Sequence, residues 1–217
     1  VDENVDIRFS AGAAKLTITT VANADYKRLV SKKIVVARGL DKAFGALKTN
    51  GSTEVRVVIY PNAETKRAFT HSAGDGHAVP AARTLHVVAF DEKPLERLIA
   101  HEATHIYTHQ LWGPPGSAFM GEGFAVWVSG QYGGVELPDW KTKLTKRTPL
   151  ATLLGVQFRR LPEGETYPQA GLVVGAIIDR FGAAILRDRL WFVTPDNWQA
   201  ACDRLGIRVG ELEKALH

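Results

Sequence analysis

His101-Glu102-Ala103-Thr104-His105 is the most informative motif in this sequence. Residues four positions apart lie on one face of a helix, so the imidazoles of His101 and His105 can bind a single cation. The carboxylate of Glu102 can then reach a water molecule on that cation and act as its general base. The pattern therefore predicts a helix that carries most of a zinc hydrolase centre. The plain alternative is a helix surface on which two histidines cap the backbone or form ion pairs.

A catalytic zinc site usually has three protein ligands and one position open to water, so a third ligand is needed. Leu111 stands where the metzincin spacing would place a third histidine, which excludes that class. His109 lies one turn beyond His105, but we expect it to rotate off the ligand face and to meet the carbonyls at the helix C-terminus. The better candidate is Glu122, which lies between two glycines on the helix predicted after the Gly-Pro-Pro-Gly break at 113–116.

The composition limits the class of protein. With 217 residues, of which 45% are hydrophobic, the chain is long enough for one well-buried domain. It has no apolar run of about 18 residues, so no transmembrane segment is expected. A single cysteine, Cys202, excludes an internal disulfide framework, and its apolar surroundings predict a buried thiol. The basic residues are dispersed and the net charge is only +4, so nucleic acid is not an expected partner.

The first half of the chain alternates predicted strands and helices. Strands are expected at 7–10, 16–20, 55–60 and 83–90, and helices from a cap at Asn23 to about Leu47, from about Asn62, and from a cap at Asp91 through the two histidines. The apolar side of the long first helix is predicted to consist of Tyr26, Leu29, Val30, Ile34, Ala37 and Leu40. Residues 71–82, rich in Gly, Ala and His, are interpreted as an exposed loop that contains His77.

The second half is predicted to be helical. Helices are expected from Ser117, at 169–181, after an N-cap at Thr194, and at 210–216. Gly171 and Gly175 lie one turn apart, a spacing that lets a neighbouring backbone approach closely. We therefore predict an α+β fold in a single domain of residues 1–217. A small mixed sheet with helices would occupy 1–112 and helices alone 113–217, with an active-site cleft between them.

These motifs together resemble a known family. His-Glu-x-x-His followed by Glu122-Gly-x-Ala on the next helix is similar to the gluzincin metallopeptidases, the clan of thermolysin-like and aminopeptidase-like zincins. It is most similar to the compact, single-domain peptidase MA-like proteins. The strand that ends at Tyr60, the short helix, the glycine-containing loop and the next strand also follow the order of that family. The likeness extends from about residue 25 to the end and implies a zincin-like fold with Zn²⁺ as cofactor.

The resemblance also implies a role for Tyr167. The stretch Tyr167-Pro-Gln-Ala-Gly171 looks like the Tyr-x-x-Ala/Gly helix of the family, in which the tyrosine hydroxyl faces the zinc and stabilises the oxyanion. Because proline fits the first turn of a helix, Pro168 predicts that Tyr167 lies at the N-terminal end of its helix. The chain departs from thermolysin-like relatives at Val126, where they carry an aspartate that orients a zinc histidine.

The sequence thus predicts a zinc-dependent hydrolase of peptide bonds with Glu102 as general base and Tyr167 as oxyanion donor. The predicted zinc ligands are His101, His105 and Glu122. No Gly-x-Met-x-Asn stretch of the kind that aminopeptidase-like relatives place beside the substrate amine is present, which favours an endopeptidase or an amidase. We expect the edge of strand 83–90 to pair with an extended peptide or protein substrate, with His77 and His86 as possible neighbours.

Two other functions stay open at this point. One is a zincin-fold binding module with a structural metal, and the other is a cell-envelope scaffold that works through its basic surface. The intact Glu102 favours the enzyme, because a structural site needs no general base. Arg159-Arg160 could attract an acidic side chain, but is interpreted as a solvated basic pair. No signal-peptide pattern is present, and we expect a monomer outside the cytoplasm, with a cytoplasmic location left open.

Overall fold

The computed structural model describes residues 2–19 and 26–216. The chain divides into two compact units, Val1–Leu111 and Trp112–His217. The first unit contains a five-stranded sheet with helices, and the second is mainly helical. The predicted α+β class is therefore confirmed.

The sheet of the first unit is mixed. Its strands are β1 (Asp2–Phe9), β2 (Gly12–Thr19), β3 (Thr53–Tyr60), β4 (Gly76–Val79) and β5 (Thr84–Val88). Their order in the sheet is β1-β2-β3-β5-β4. The outer pairs β1–β2 and β4–β5 are antiparallel, and the inner pairs β2–β3 and β3–β5 are parallel. The inner strands are the most deeply buried and the richest in β-branched residues, as expected for parallel strands.

The predicted long first helix is wrong, because the structure has two helices there. The helices of this unit are α1 (Tyr26–Val30), α2 (Lys33–Ala46), α3 (Ala63–Thr70) and α4 (Glu92–Leu111). The amide of Lys32 donates to the carbonyl of Leu29, a tighter turn than the α-helical one, and this shifts the face that α2 buries. Ile34 is consequently 61% exposed, whereas Val35 and Val36 are buried. Thr20 at the end of the predicted strand 16–20, the predicted cap Asn23 and the side chain of Tyr26 lie outside the described residues.

The segment predicted as an exposed loop contains a strand. Only 71–75 are irregular, since β4 pairs with β5 and a short 3-10 helix, Pro80–Ala82, follows it. β4 has four residues, all half-buried, and its pairing depends on β5 rather than on its own β-propensity. Because β3 and β4 flank β5, the predicted free edge of strand 83–90 is also wrong. Within the described sheet the edge strand on this side is β4.

The second unit is built from helices and one small hairpin. Its helices are α5 (Ala118–Ser129), α6 (Trp140–Lys143), α7 (Leu150–Leu153), α8 (Glu163–Phe181), α9 (Ala183–Ile185), α10 (Trp198–Arg204) and α11 (Val209–Glu213). The hairpin pairs β6 (Gln131–Tyr132) with β7 (Val135–Glu136). The helix predicted from Ser117 begins there, and Ser117 caps it by accepting from the amide of Met120. The predicted cap Thr194 forms a capping box. Cys202 is buried as predicted.

Helices α5 and α8 pack closely, as the glycine spacing predicted. A Cβ atom at Gly171 would lie 2.5 Å from Cγ1 of Val126, and one at Gly175 would lie 2.8 Å from Cδ1 of Trp127. The glycines of α8 thus make room for side chains of α5. Of the described helices, none is by itself long and apolar enough to cross a membrane; Glu163–Phe181 and Ala183–Leu190 meet that criterion only as a pair bent by 115°.

Candidate metal centre

Helix α4 presents the two histidines together. His101 and His105 are half-buried, their rings are 5.1 Å apart, and their Nε2 atoms are 3.3 Å apart. Two nitrogens that bind one tetrahedral zinc at about 2.0–2.1 Å are separated by roughly 3.3 Å, by the geometry of a tetrahedron. The spacing of the two imidazoles therefore fits a shared cation.

Glu102 lies on the same helix, buried against the start of β4. Its side chain passes close to Gly76, where an added Cβ atom would lie 2.9 Å from Oε1 of Glu102. The absence of a side chain at Gly76 thus leaves space for this carboxylate. Glu102 is 8% exposed, so its position is set by packing as well as by the helix.

A buried ammonium group lies near this carboxylate. Lys66 of α3 is fully buried, and its Nζ donates to the carbonyl oxygens of Ser72 and Gly74 at 3.3 and 3.1 Å. Burial lowers the pKa of Lys66, while the negative charges of Glu102 and Asp75 act in the opposite direction. The two hydrogen bonds from Lys66 therefore stabilise the loop that leads into β4. This burial could not be predicted from the sequence, because Lys66 lies in a short, polar helix.

His77 and His86 form a stacked pair across β4 and β5. Their rings are 4.7 Å apart at an interplanar angle of 9°, and the hydroxyl of Tyr60 lies 2.9 Å from Nδ1 of His86. Burial, and then the charge of Lys66, lower the pKa of His77 to about 4. The pKa of His86 is lowered for the same two reasons. The expected solvent-exposed histidines are thus half-buried, and both favour the neutral form.

Glu122 lies on α5 in the second unit, with its side chain only 7% exposed. Ser117 caps the start of this helix and so fixes where its turns begin. Oε1 of Glu122 lies 3.1 Å from Nη2 of Arg159, whose side chain is 66% exposed. Arg159 and Arg160 are both exposed to solvent, as interpreted from the sequence, but Arg159 also forms an ion pair that the interpretation did not include.

Tyr167 is placed differently from the prediction. α8 begins at Glu163, so Tyr167 lies in the second turn of the helix and Pro168 lies inside it. Glu163 and Glu165 in the first turn favour a helix N-terminus there, so these acidic residues rather than Pro168 mark the start of the helix. Tyr167 is 8% exposed and stacks on Phe158, with ring centres 5.5 Å apart.

A second tyrosine shares the surroundings of Tyr167. The ring of Tyr132, on β6, lies 5.5 Å from that of Tyr167. Burial raises the pKa of Tyr167 well above its usual value, and the charge of Glu122 is the next cause. Burial, Glu163 and then Glu122 raise the pKa of Tyr132 to about 12. Both hydroxyls therefore keep their protons at neutral pH and are hydrogen-bond donors in the neighbourhood of Glu122.

One set of side chains is close enough to hold a metal ion. One ligand atom each from His101, His105 and Glu122 lies within 4.8 Å of the other two. Two imidazoles and one carboxylate form the donor set of many catalytic zinc sites, and three ligands leave a fourth position for water. Within residues 2–19 and 26–216, His109 is exposed on α4 and is not part of this group.

The same fold is found in solved structures of peptidases. An M1 zinc metallopeptidase from Deinococcus radiodurans is 13% identical, with a TM-score of 0.54 over 100% of this chain and 50% of that one. An aminopeptidase N family protein from Idiomarina loihiensis is 10% identical, with a TM-score of 0.53 over 99% of this chain and 46% of that one. A variant of a two-domain M1 zinc metallopeptidase bound to L-arginine is 13% identical, with a TM-score of 0.52 over 100% and 50%.

No family model and no curated protein matches the sequence. The chain spans about half the length of the structures it resembles. At 10–13% identity the likeness concerns the fold alone. The chain therefore has the fold of the zinc metallopeptidases, and three of its side chains lie close enough together to hold a metal ion.

Proposed function

We propose that this protein is a zinc-dependent hydrolase of peptide bonds. The observation that carries the proposal is the 3.3 Å separation of the Nε2 atoms of His101 and His105, with a carboxylate oxygen of Glu122 in the same group. This donor set suits Zn²⁺, which prefers imidazole and carboxylate ligands in a tetrahedral arrangement. When bound, zinc would lower the pKa of a water ligand towards neutrality and polarise a carbonyl group.

Glu102 follows His101 directly and is our proposed general base. Its carboxylate would accept the proton of the attacking water and deliver it to the leaving amine. Packing beside Gly76 restricts the carboxylate to few orientations, which favours proton transfer along one path. Tyr167 is our proposed donor to the negative charge that develops on the carbonyl oxygen. A buried phenol that keeps its proton suits this role.

The edge strand β4 is our proposed binding site for the substrate backbone. Within the described sheet, β4 pairs only with β5, so its other edge is available to an extended peptide. Two hydrogen bonds from Lys66 fix the loop before β4 and so stabilise the position of that edge. Specificity would then depend on side-chain pockets, while the main chain of β4 supplies the common binding energy.

We propose an endopeptidase rather than an aminopeptidase. The support is the missing Gly-x-Met-x-Asn stretch, since aminopeptidase-like relatives use it beside the substrate amine. β4 instead reads Gly76-His-Ala-Val79. A peptide library blocked at the N-terminus distinguishes the two: an endopeptidase cleaves the blocked peptides, whereas an aminopeptidase cleaves only the unblocked ones.

The proposed function is tested by metal content and turnover together. The protein should bind about one zinc per chain, and Glu102→Gln should keep the metal but lose about 10²–10⁴-fold in hydrolysis of a library peptide. Glu92→Gln is the matched control, because it makes the same change on an exposed position of α4. Zinc binding without turnover by the parent on any peptide would favour a zincin-fold binding or cell-envelope scaffold protein. A Glu102→Gln variant within about threefold of the parent would exclude Glu102 as the base.

A further inference from the structure

The ion pair between Arg159 and Glu122 joins an exposed residue to a buried one. The Glu122 side chain is 7% exposed and that of Arg159 is 66% exposed. A buried carboxylate needs donors for its oxygens, because each leaves water on folding. An exposed guanidinium has water on its other faces and gains little from the pair. The ion pair therefore stabilises the carboxylate of Glu122 more than it stabilises the guanidinium of Arg159.

The backbone on both sides of this ion pair is anchored. Arg159 follows Phe158, which is 1% exposed and stacks on Tyr167. The ring of Phe158 also meets that of Phe119 edge-on at 5.9 Å, and Phe119 lies one turn before Glu122 on α5. A buried aromatic contact thus holds together the two segments that carry the pair. The backbone of Arg159 is therefore held in place next to Glu122.

Two opposite effects on a bound cation have to be weighed. A positive charge beside a metal ligand repels the metal, and it also holds the ligand carboxylate in one orientation. The repulsion is reduced here, because the guanidinium is two-thirds exposed and the surrounding water screens its charge. The orienting effect is not screened in this way. Hydrogen-bond partners of metal ligands typically contribute about 10–100-fold to metal affinity.

We propose that Arg159 is a positioning residue that holds Glu122 in the orientation that binds the metal. Val126 stands where thermolysin-like relatives carry an aspartate that orients a zinc histidine. Arg159 would not replace that aspartate, because it orients the glutamate ligand instead. The inference rests on the proposed zinc site. It requires no substrate, so it is testable with the metal alone.

The experiment measures Zn²⁺ affinity by competition with a chromophoric chelator at constant pH and salt. Arg159→Met removes the guanidinium and keeps most of the apolar stem, and it should weaken Zn²⁺ binding by about 10-fold. Arg159→Lys, which keeps a donor and a charge, should recover part of that loss. Arg160→Met is the matched control: Arg160 is the next residue, is exposed, and should bind Zn²⁺ as the parent does.

The outcomes separate this inference from the proposed function. Equal Zn²⁺ affinity in Arg159→Met and the parent, or tighter binding in the variant, would overturn the positioning role while leaving the zinc site intact. An equal loss in Arg160→Met would also overturn it, because the effect would then be one of net charge. A parent protein that binds no Zn²⁺ would overturn the proposed function and this inference with it. Circular dichroism of each variant shows that the helices are retained.

Discussion

Replacing Gly123 by alanine tests whether the close contact of α5 and α8 fixes the helix that carries Glu122. A Cβ atom at Gly123 would lie 2.8 Å from the carbonyl oxygen of Ala170 and 2.7 Å from Cγ2 of Val174. The first of these atoms belongs to the backbone of α8 and cannot turn away as a side chain could. The two helices would therefore have to separate by a few tenths of an ångström along their contact.

The size of the effect follows from two opposed contributions. Overpacking in a well-packed interior costs about 1–3 kcal/mol. Alanine gains up to about 1 kcal/mol over glycine in a helix interior. Because the clash is with backbone, we take the upper part of the first range and expect a net loss of about 1–2 kcal/mol in the free energy of unfolding. For a chain of this size this corresponds to a fall in Tm of about 2–8 °C.

Tryptophan fluorescence is a suitable assay, because all the tryptophans lie in the second unit. They are Trp112, Trp127, Trp140, Trp191 and Trp198. Gly164→Ala is the matched control in α8, where an added Cβ atom meets no other atom within 4 Å. This variant should be as stable as the parent or slightly more so. If Gly123→Ala unfolds at or above the temperature of Gly164→Ala, the reasoning from the α5–α8 contact is refuted.

Two further predictions concern the tyrosines and the histidine pair. Tyr167→Phe should lower kcat by about 10- to 1000-fold without changing zinc content; loss of activity in Tyr132→Phe instead would transfer the donor role to Tyr132. In the folded protein the pKa of His77 is about 4, below the usual value of 6.5. The contribution of its neutral form to the free energy of unfolding is therefore fully present above pH 6.5 and is lost as the pH falls towards 4. Allowing for solvent screening, the loss is about 1–2 kcal/mol. His77→Phe, which keeps the stack on His86, should flatten the fall measured by chemical unfolding between pH 7 and pH 4.5; an unchanged pH dependence would show that His77 does not titrate in this way.

Features set by neighbours along the chain could be predicted from the sequence. The helix starts at Asn62, Ser117 and Thr194 are examples, because each side chain binds a backbone group only a few residues away. The facing of His101 and His105 is likewise a property of a single helix turn. The glycine spacing of α8 belongs to the same class, since it predicts a close contact without saying which helix makes it.

Features set by distant pairing were missed. β4 is a strand because β5 lies beside it, and its four residues carry no β-pattern of their own. The exposure of Ile34 was missed for a different reason. The periodicity of a single long helix would bury that residue, but the turn at Lys32 changes the face that α2 presents to the core. Pairing with β5 thus decides the structure of β4, whereas a local break in the helix decides the exposure of Ile34.

The roles of charged residues are the hardest to predict from the sequence, because they depend on the groups that each residue contacts in the folded protein. Lys66 and Arg159 both belong to polar stretches that are usually solvated. One is fully buried behind the loop before β4, and the other pairs with a buried glutamate. Burying an ammonium group is costly unless hydrogen bonds offset it, as the carbonyls around Lys66 do. The two charges therefore mark the segments whose positions matter most to the proposed chemistry, the substrate edge and the metal ligand.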